Sequence, residues 1–225
     1  MSLYFPVISA AVLTLIYFAI KANKARQLKY IERYHFHKGI RQKLLQKHPQ
    51  LTEQQLDMVF QGLRDYFRIC HQAKNRMVSM PSQVIDDAWH EFILSTRIYE
   101  KFCAKAMGRF LHHTPAEAMA TPAIAKNGIK RSWRLACALE RINPKKPVRL
   151  PLIFAMDGLL NISNGFIYQL DCKKNPAGGY CASHIGCSSG CGGSSDSSSD
   201  TTDSGDSDDS SGCSGGGCGG GCGGD

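Results

Sequence analysis

The first twenty residues contain no Asp, Glu, Lys or Arg, and the first 52 contain a single acidic residue, Glu32. Only Met1 and Ser2 precede the apolar run. A cleaved signal peptide carries positive charge ahead of its apolar stretch, so this absence argues against one. The rest of the chain is short of the common signatures. It has no HExxH pair, no CxxC pair, no Gly-rich phosphate loop in its middle and no Ser–His–Asp order there. Those absences argue against zincin proteases, zinc ribbons, nucleotide-binding folds and the familiar hydrolases. Residues 192–212 lack apolar side chains altogether, being wholly Gly, Ser, Thr and Asp.

What is present begins with residues 3–20, an uninterrupted uncharged run. At about 1.5 Å per residue it reaches roughly 27 Å as a helix, close to the ~30 Å hydrocarbon core of a bilayer. Tyr4, Phe5, Tyr17 and Phe18 stand near its ends, where interfacial aromatics belong, and Pro6 falls in the first turn. Lys21, Lys24, Arg26, Lys29 and Arg33 follow. Positive flanks stay inside, so the reading is a single-pass anchor over residues 1–22. The N-terminus would face out and the body the cytoplasm, at the inner membrane if the chain is bacterial.

Charge is divided along the chain. Residues 1–172 hold 25 Lys/Arg against 12 Asp/Glu, and residues 173–225 hold two Lys and seven Asp. A basic body beside an anchor suits the lipid bilayer and its anionic headgroups as partners, rather than nucleic acid. Residues 23–50 read as a basic juxtamembrane helix in which Leu28, Ile31, Ile40, Leu44 and Leu45 make a partial apolar face. That face could lie on an anionic leaflet or pack on the domain.

Residues 51–172 read as a compact helical domain, so the fold class is mainly α. Thr52 and Gln55 have capping-box spacing, and Leu56, Val59, Phe60, Leu63, Phe67 and Cys70 recur on one helical face. A second helix is expected from Pro81-Ser82 to Gly108, carrying Val84, Ile85, Trp89, Phe92, Ile98 and Phe102. Thr114-Pro115 and Thr121-Pro122 look like further helix starts. A short helix is expected over residues 152–160, then a turn at 161–165 and an apolar run at 166–170. Cys70, Cys103 and Cys137 sit singly in helical stretches and read as buried, reduced thiols.

Candidate ligands cluster at Asp86, Asp87, His90, Glu91, Tyr99, Cys103, His112 and His113. Asp86 and His90 are four apart and share a helix face. His112 and His113 follow the Gly108 stop and can fold back. Asp86, His90 and one of those histidines would suit a divalent transition metal such as zinc. On the structural alternative, Asp86 only orients His90 or caps the helix. His90 is too far from Cys103 to share an ion with it along one unbroken helix.

The run from Pro81 through Trp89-His90, with Ile93-Leu94, Tyr99 and Phe102-Cys103, resembles the glycine-rich domain-containing protein family of plants and bacteria. Its pattern is PSxx, an apolar residue, Asp, two residues, then Trp-His. Residues 133–140 and 151–157 resemble that family's later blocks, so the likeness covers about residues 50–172. It implies a shared fold more than an activity, since the family's activity is not established. Family members often carry a second His two positions after the first, and here that position is Phe92.

Residues 173–225 read as a disordered low-complexity tail, because such a composition buries too little apolar area to offset its ordering entropy. Its thiols Cys187, Cys191, Cys213, Cys218 and Cys222 are candidates for soft-metal or redox chemistry. The expectation is therefore a membrane-tethered helical interaction module. The alternative is a metal-binding protein or metal-dependent enzyme at the membrane, built on the Asp/His cluster. Neither a protein partner nor a substrate is named by these patterns.

Overall fold

The computed structural model describes residues 4–113, 122–170, 180, 181 and 185. The chain divides into Met1–Ser189, treated below, and Gly190–Asp225, which lies outside the described residues. The fold is mainly α, as expected. Its order is α1 Tyr4–Glu32, α2 Lys38–Lys47, α3 Glu53–Ala73, α4 Gln83–Leu94, α5 Thr96–Met107, α6 Pro122–Leu139 and α7 Leu152–Leu159. Two-residue strands β1 (Tyr168–Gln169) and β2 (Tyr180–Cys181) pair in parallel.

Helix α3 is the hub, packing against α1, α4, α6 and α7. It starts where Thr52 and Gln55 form a reciprocal capping box, with 3.3 Å and 2.8 Å hydrogen bonds. These satisfy two donors that the first turn would otherwise orphan. Its predicted stripe of Leu56, Val59, Phe60, Leu63, Phe67 and Cys70 is buried. Phe67 stands at the centre of an aromatic cluster, with ring centroids 4.8 Å from Phe102, 6.1 Å from Trp89 and 6.2 Å from Phe92. Gly62 lets α4 and α7 come close, because a Cβ there would meet Ile85 Cδ1 at 2.7 Å and Met156 Cε at 2.9 Å.

The apolar N-terminal run forms one helix long and apolar enough to cross a membrane. Its side chains from Ile8 to Ile20 are exposed rather than packed on the body. A core helix would bury them. The same helix then continues through the basic flank to Glu32, where Ile31 is fully buried. This differs from the expected separate helix over residues 23–50. The chain turns at residues 33–37 and restarts as α2, with the His37 side chain accepting from Gly39 N–H at 3.1 Å. Ile31, Ile40 and Leu44 are buried in the core and Leu28 and Leu45 half-buried. The apolar face of this stretch therefore faces protein.

A second difference lies at Ser95, which divides the expected single helix into α4 and α5. Gly108 ends α5 in the left-handed conformation, φ 68°, as a C-cap glycine should. Helix α6 begins at Pro122, and Thr114-Pro115 lies outside the described residues. Helix α7 and the turn after it match expectation. The domain does not stop at residue 172, however. Strand β2 pairs with β1, and Ile185 packs against the core. The folded part thus extends beyond the expected boundary, since the apolar residues Tyr180, Cys181 and Ile185 interrupt the Gly-rich composition.

Candidate metal centre

The site is built on α4. Ser82 caps that helix, its Oγ accepting from Ile85 N–H at 3.3 Å and donating to Asp157 Oδ1 at 2.7 Å. The Asp157 carboxylate, almost wholly buried, also accepts from the backbone N–H groups of Gln83, Val84 and Phe166 at 2.7, 3.2 and 2.8 Å. An acceptor with this many donors at a helix N-terminus satisfies orphan N–H groups and complements the helix dipole. It ties α7 and the segment after it to the first turn of α4. Gly165 allows the approach, since a Cβ there would lie 2.5 Å from Asp157 Cβ.

The adjacent acids Asp86 and Asp87 point to different places. Asp87 is buried and receives Lys47 Nζ at 2.6 Å, His48 Nε2 at 2.7 Å and Gln83 Nε2 at 3.2 Å. Burial acts to raise its pKa, but the hydrogen bonds from Lys47 and His48 and the Lys47 charge outweigh it, leaving the carboxyl below its ordinary value. Asp87 thereby ties α2 to α4. Asp86 sits on the half-buried side, with Oδ2 3.4 Å from His90 Nδ1 and Oδ1 3.0 Å from His113 Nε2.

His113 reaches Asp86 from beyond α5 because the intervening chain is pinned. The Trp89 Nε1–H donates to Tyr99 Oη at 3.1 Å, and that hydroxyl donates to the Leu111 carbonyl at 2.5 Å. Two residues later, the His113 ring stands edge-on to Trp89 at 4.5 Å and packs 4.4 Å from the His90 ring. The break at Ser95 makes this possible by turning α5 back against α4.

One ligand atom each from Asp86, His90 and His113 lies within 4.8 Å of the others. Bonds of about 2.0–2.1 Å from a tetrahedral ion would set such atoms roughly 3.3 Å apart. The two Asp86 contacts are already at that scale. His90 is exposed, so the cluster opens to solvent on one side. Three protein ligands would leave a coordination position for water or substrate. Without an ion, Asp86 hydrogen-bonds His113 and stands within ion-pair distance of His90.

Not every candidate joins the cluster. His112 is exposed and packs on Phe110, ring centroids 4.8 Å apart. Cys103 is buried beside Tyr99 and Leu111, and burial raises its thiol pKa. Glu91 points toward Lys43, 3.4 Å away. Cys187, Cys191, Cys213, Cys218 and Cys222 lie outside the described residues. Asp157, Lys47 and His48 support the site but carry no local signal for it. Only the Pro151–Asp157 block, singled out above by resemblance, pointed at Asp157.

No curated protein and no solved structure matches the chain. Residues 26–188 match the UCP032817-like family, a span that starts in the basic part of α1 and runs past β2. Most of the 225 residues fall inside that match, and the chain belongs to the UCP032817-like family.

Proposed function

We propose that this chain is a membrane-tethered helical module that holds one divalent transition-metal ion, such as zinc, between Asp86, His90 and His113. The convergence of those three ligand atoms within 4.8 Å carries the reading. Imidazole and carboxylate suit zinc or iron, and the open side makes the centre accessible to small ligands. The tether is α1, with its apolar length and exposed side chains. Continuity of α1 into the core at Ile31 favours a retained anchor over a cleaved leader, and the following cations favour a cytoplasmic body. Kinship with the glycine-rich domain-containing proteins rests on the Pro81–His90 and Pro151–Asp157 blocks, which Ser82 and Asp157 join directly.

The test is cobalt binding by the full chain in detergent, after alkylation of accessible thiols. Buried Cys70, Cys103 and Cys137 are shielded from the reagent. The expected result is one cobalt per chain with nitrogen/oxygen-type d–d bands, lost in His113→Ala and in His90→Ala. Absence of binding by the parent chain, or binding unchanged in both variants, overturns the metal centre.

A further inference from the structure

Helices α3 and α5 both run antiparallel to α1, toward its membrane end. Along α3, Arg64 Nη1 donates to Tyr34 O at 3.3 Å, Arg68 lies 3.9 Å from Glu32, and His71 Nε2 is 2.9 Å from Gln27 Oε1. Partners on α1 thus move toward the N-terminus as α3 advances. Along α5, Phe102 packs on Tyr34 and Tyr30, Lys105 lies 5.9 Å from the Tyr30 ring, and a Cβ at Gly108 would be 3.2 Å from Gln27 Nε2. Arg109 donates to the Lys74 carbonyl and joins the two C-terminal ends.

The rise of α1 sets the height of this corner. Gln27 lies about 10 Å and Lys24 about 6 Å beyond Ile20, along the helix axis. A headgroup layer is about 5–7 Å deep on each side of the hydrocarbon. The end of α3, Ala73 and Lys74, continues downward from the level of Gln27 toward that layer, and Arg109 stands beside it before the chain turns back to Leu111 at the Tyr99 hydroxyl. The corner is cationic throughout. Residues 66–85 and 101–113 contain no acidic residue, while Lys24, Lys74 and Lys105 are exposed. Cations at helix C-terminal ends also complement the helix dipole. Burial, then the Lys24 and Arg109 charges, disfavour the charged form of His71, so both cations lie within electrostatic reach of that ring.

We propose that the corner made by the C-terminal ends of α3 and α5 rests on an anionic phospholipid leaflet, with Lys24, Lys74, Lys105 and Arg109 set against lipid phosphates. This rests on the reading of α1 as an anchor and not on the metal centre. Docking fixes the body against the bilayer on the same side as the basic flank. Each cation near such a surface is worth roughly fivefold in association.

The experiment is hydrogen–deuterium exchange on the full chain in nanodiscs. One set is phosphatidylcholine alone, and the other holds about a third phosphatidylglycerol. Amides of residues 72–77 and 106–109 should exchange about fivefold or more slower in the anionic discs, with the difference shrinking in high salt. Lys74→Glu with Lys105→Glu should abolish the difference, and the neutral pair Lys74→Gln with Lys105→Gln should reduce it. Unchanged exchange within α4 shows that the variants fold. Equal exchange in the two lipids, with the chain retained in the discs, overturns docking alone. Release of the chain by alkaline wash overturns the anchor, and the docking with it.

Discussion

Replacing Asp157 with Ala tests whether the α4 cap organises the site. The carboxylate accepts from one hydroxyl and three backbone N–H groups. Hydrogen bonds to a charged acceptor are worth about 1.5–3 kcal/mol each, and buried donors left unpaired cost about 1–3 kcal/mol each. These terms do not add fully, and deletion of one partner from a buried charged network costs about 3–5 kcal/mol. The expectation is a loss of about 4 kcal/mol, a large share of the roughly 5–15 kcal/mol that holds a domain together. At about 2–4 °C per kcal/mol for a chain of this size, the midpoint of thermal unfolding falls by roughly 8–16 °C. Circular dichroism of the full chain in detergent measures it. Asp157→Asn keeps an acceptor oxygen and should lose about half as much. A shift for Asp157→Ala below about 3 °C would refute the assignment of this carboxylate as the cap of α4.

Tyr99→Phe removes the hydroxyl linking Trp89 to the Leu111 carbonyl, and should weaken cobalt binding about tenfold while leaving helix content intact, as titration would show. Asp87→Asn should destabilise by about 3 kcal/mol near neutral pH. Because the folded pKa of Asp87 is depressed, its contribution is present above the ordinary carboxylate range and lost as pH falls through the folded value. The gap between parent and variant in urea unfolding should therefore narrow as pH falls below the ordinary carboxylate range, and a gap independent of pH would contradict the ion pair.

Helix starts and stops were legible wherever the chemistry is local. Thr52, Ser82 and Gly108 act as their residue types predict, since a cap involves neighbours within four positions. The break at Ser95 was hidden because Phe92, Tyr99 and Phe102 stay in helical phase across it, with no Gly or Pro to mark it. Asp86 and His90 were readable as a pair from their spacing. The choice between His112 and His113 was not, because it depends on Tyr99 holding the Leu111 carbonyl. The opposite fates of Asp86 and Asp87 were likewise beyond periodicity, being set by His113 and His48, tens of residues away. The family match through residue 188 agrees with the β1–β2 pair in carrying the domain past the point where Gly begins to dominate.

Helix α1 has no joint between its apolar length and Ile31. If it is a tether, it is spliced rather than hinged, and tension or rotation applied in the bilayer passes straight into the packing around Phe67 and Phe102. The domain could not swivel on a slack leash. It would sweep a narrow band at constant height, and whatever meets the Asp86 side must come to that level.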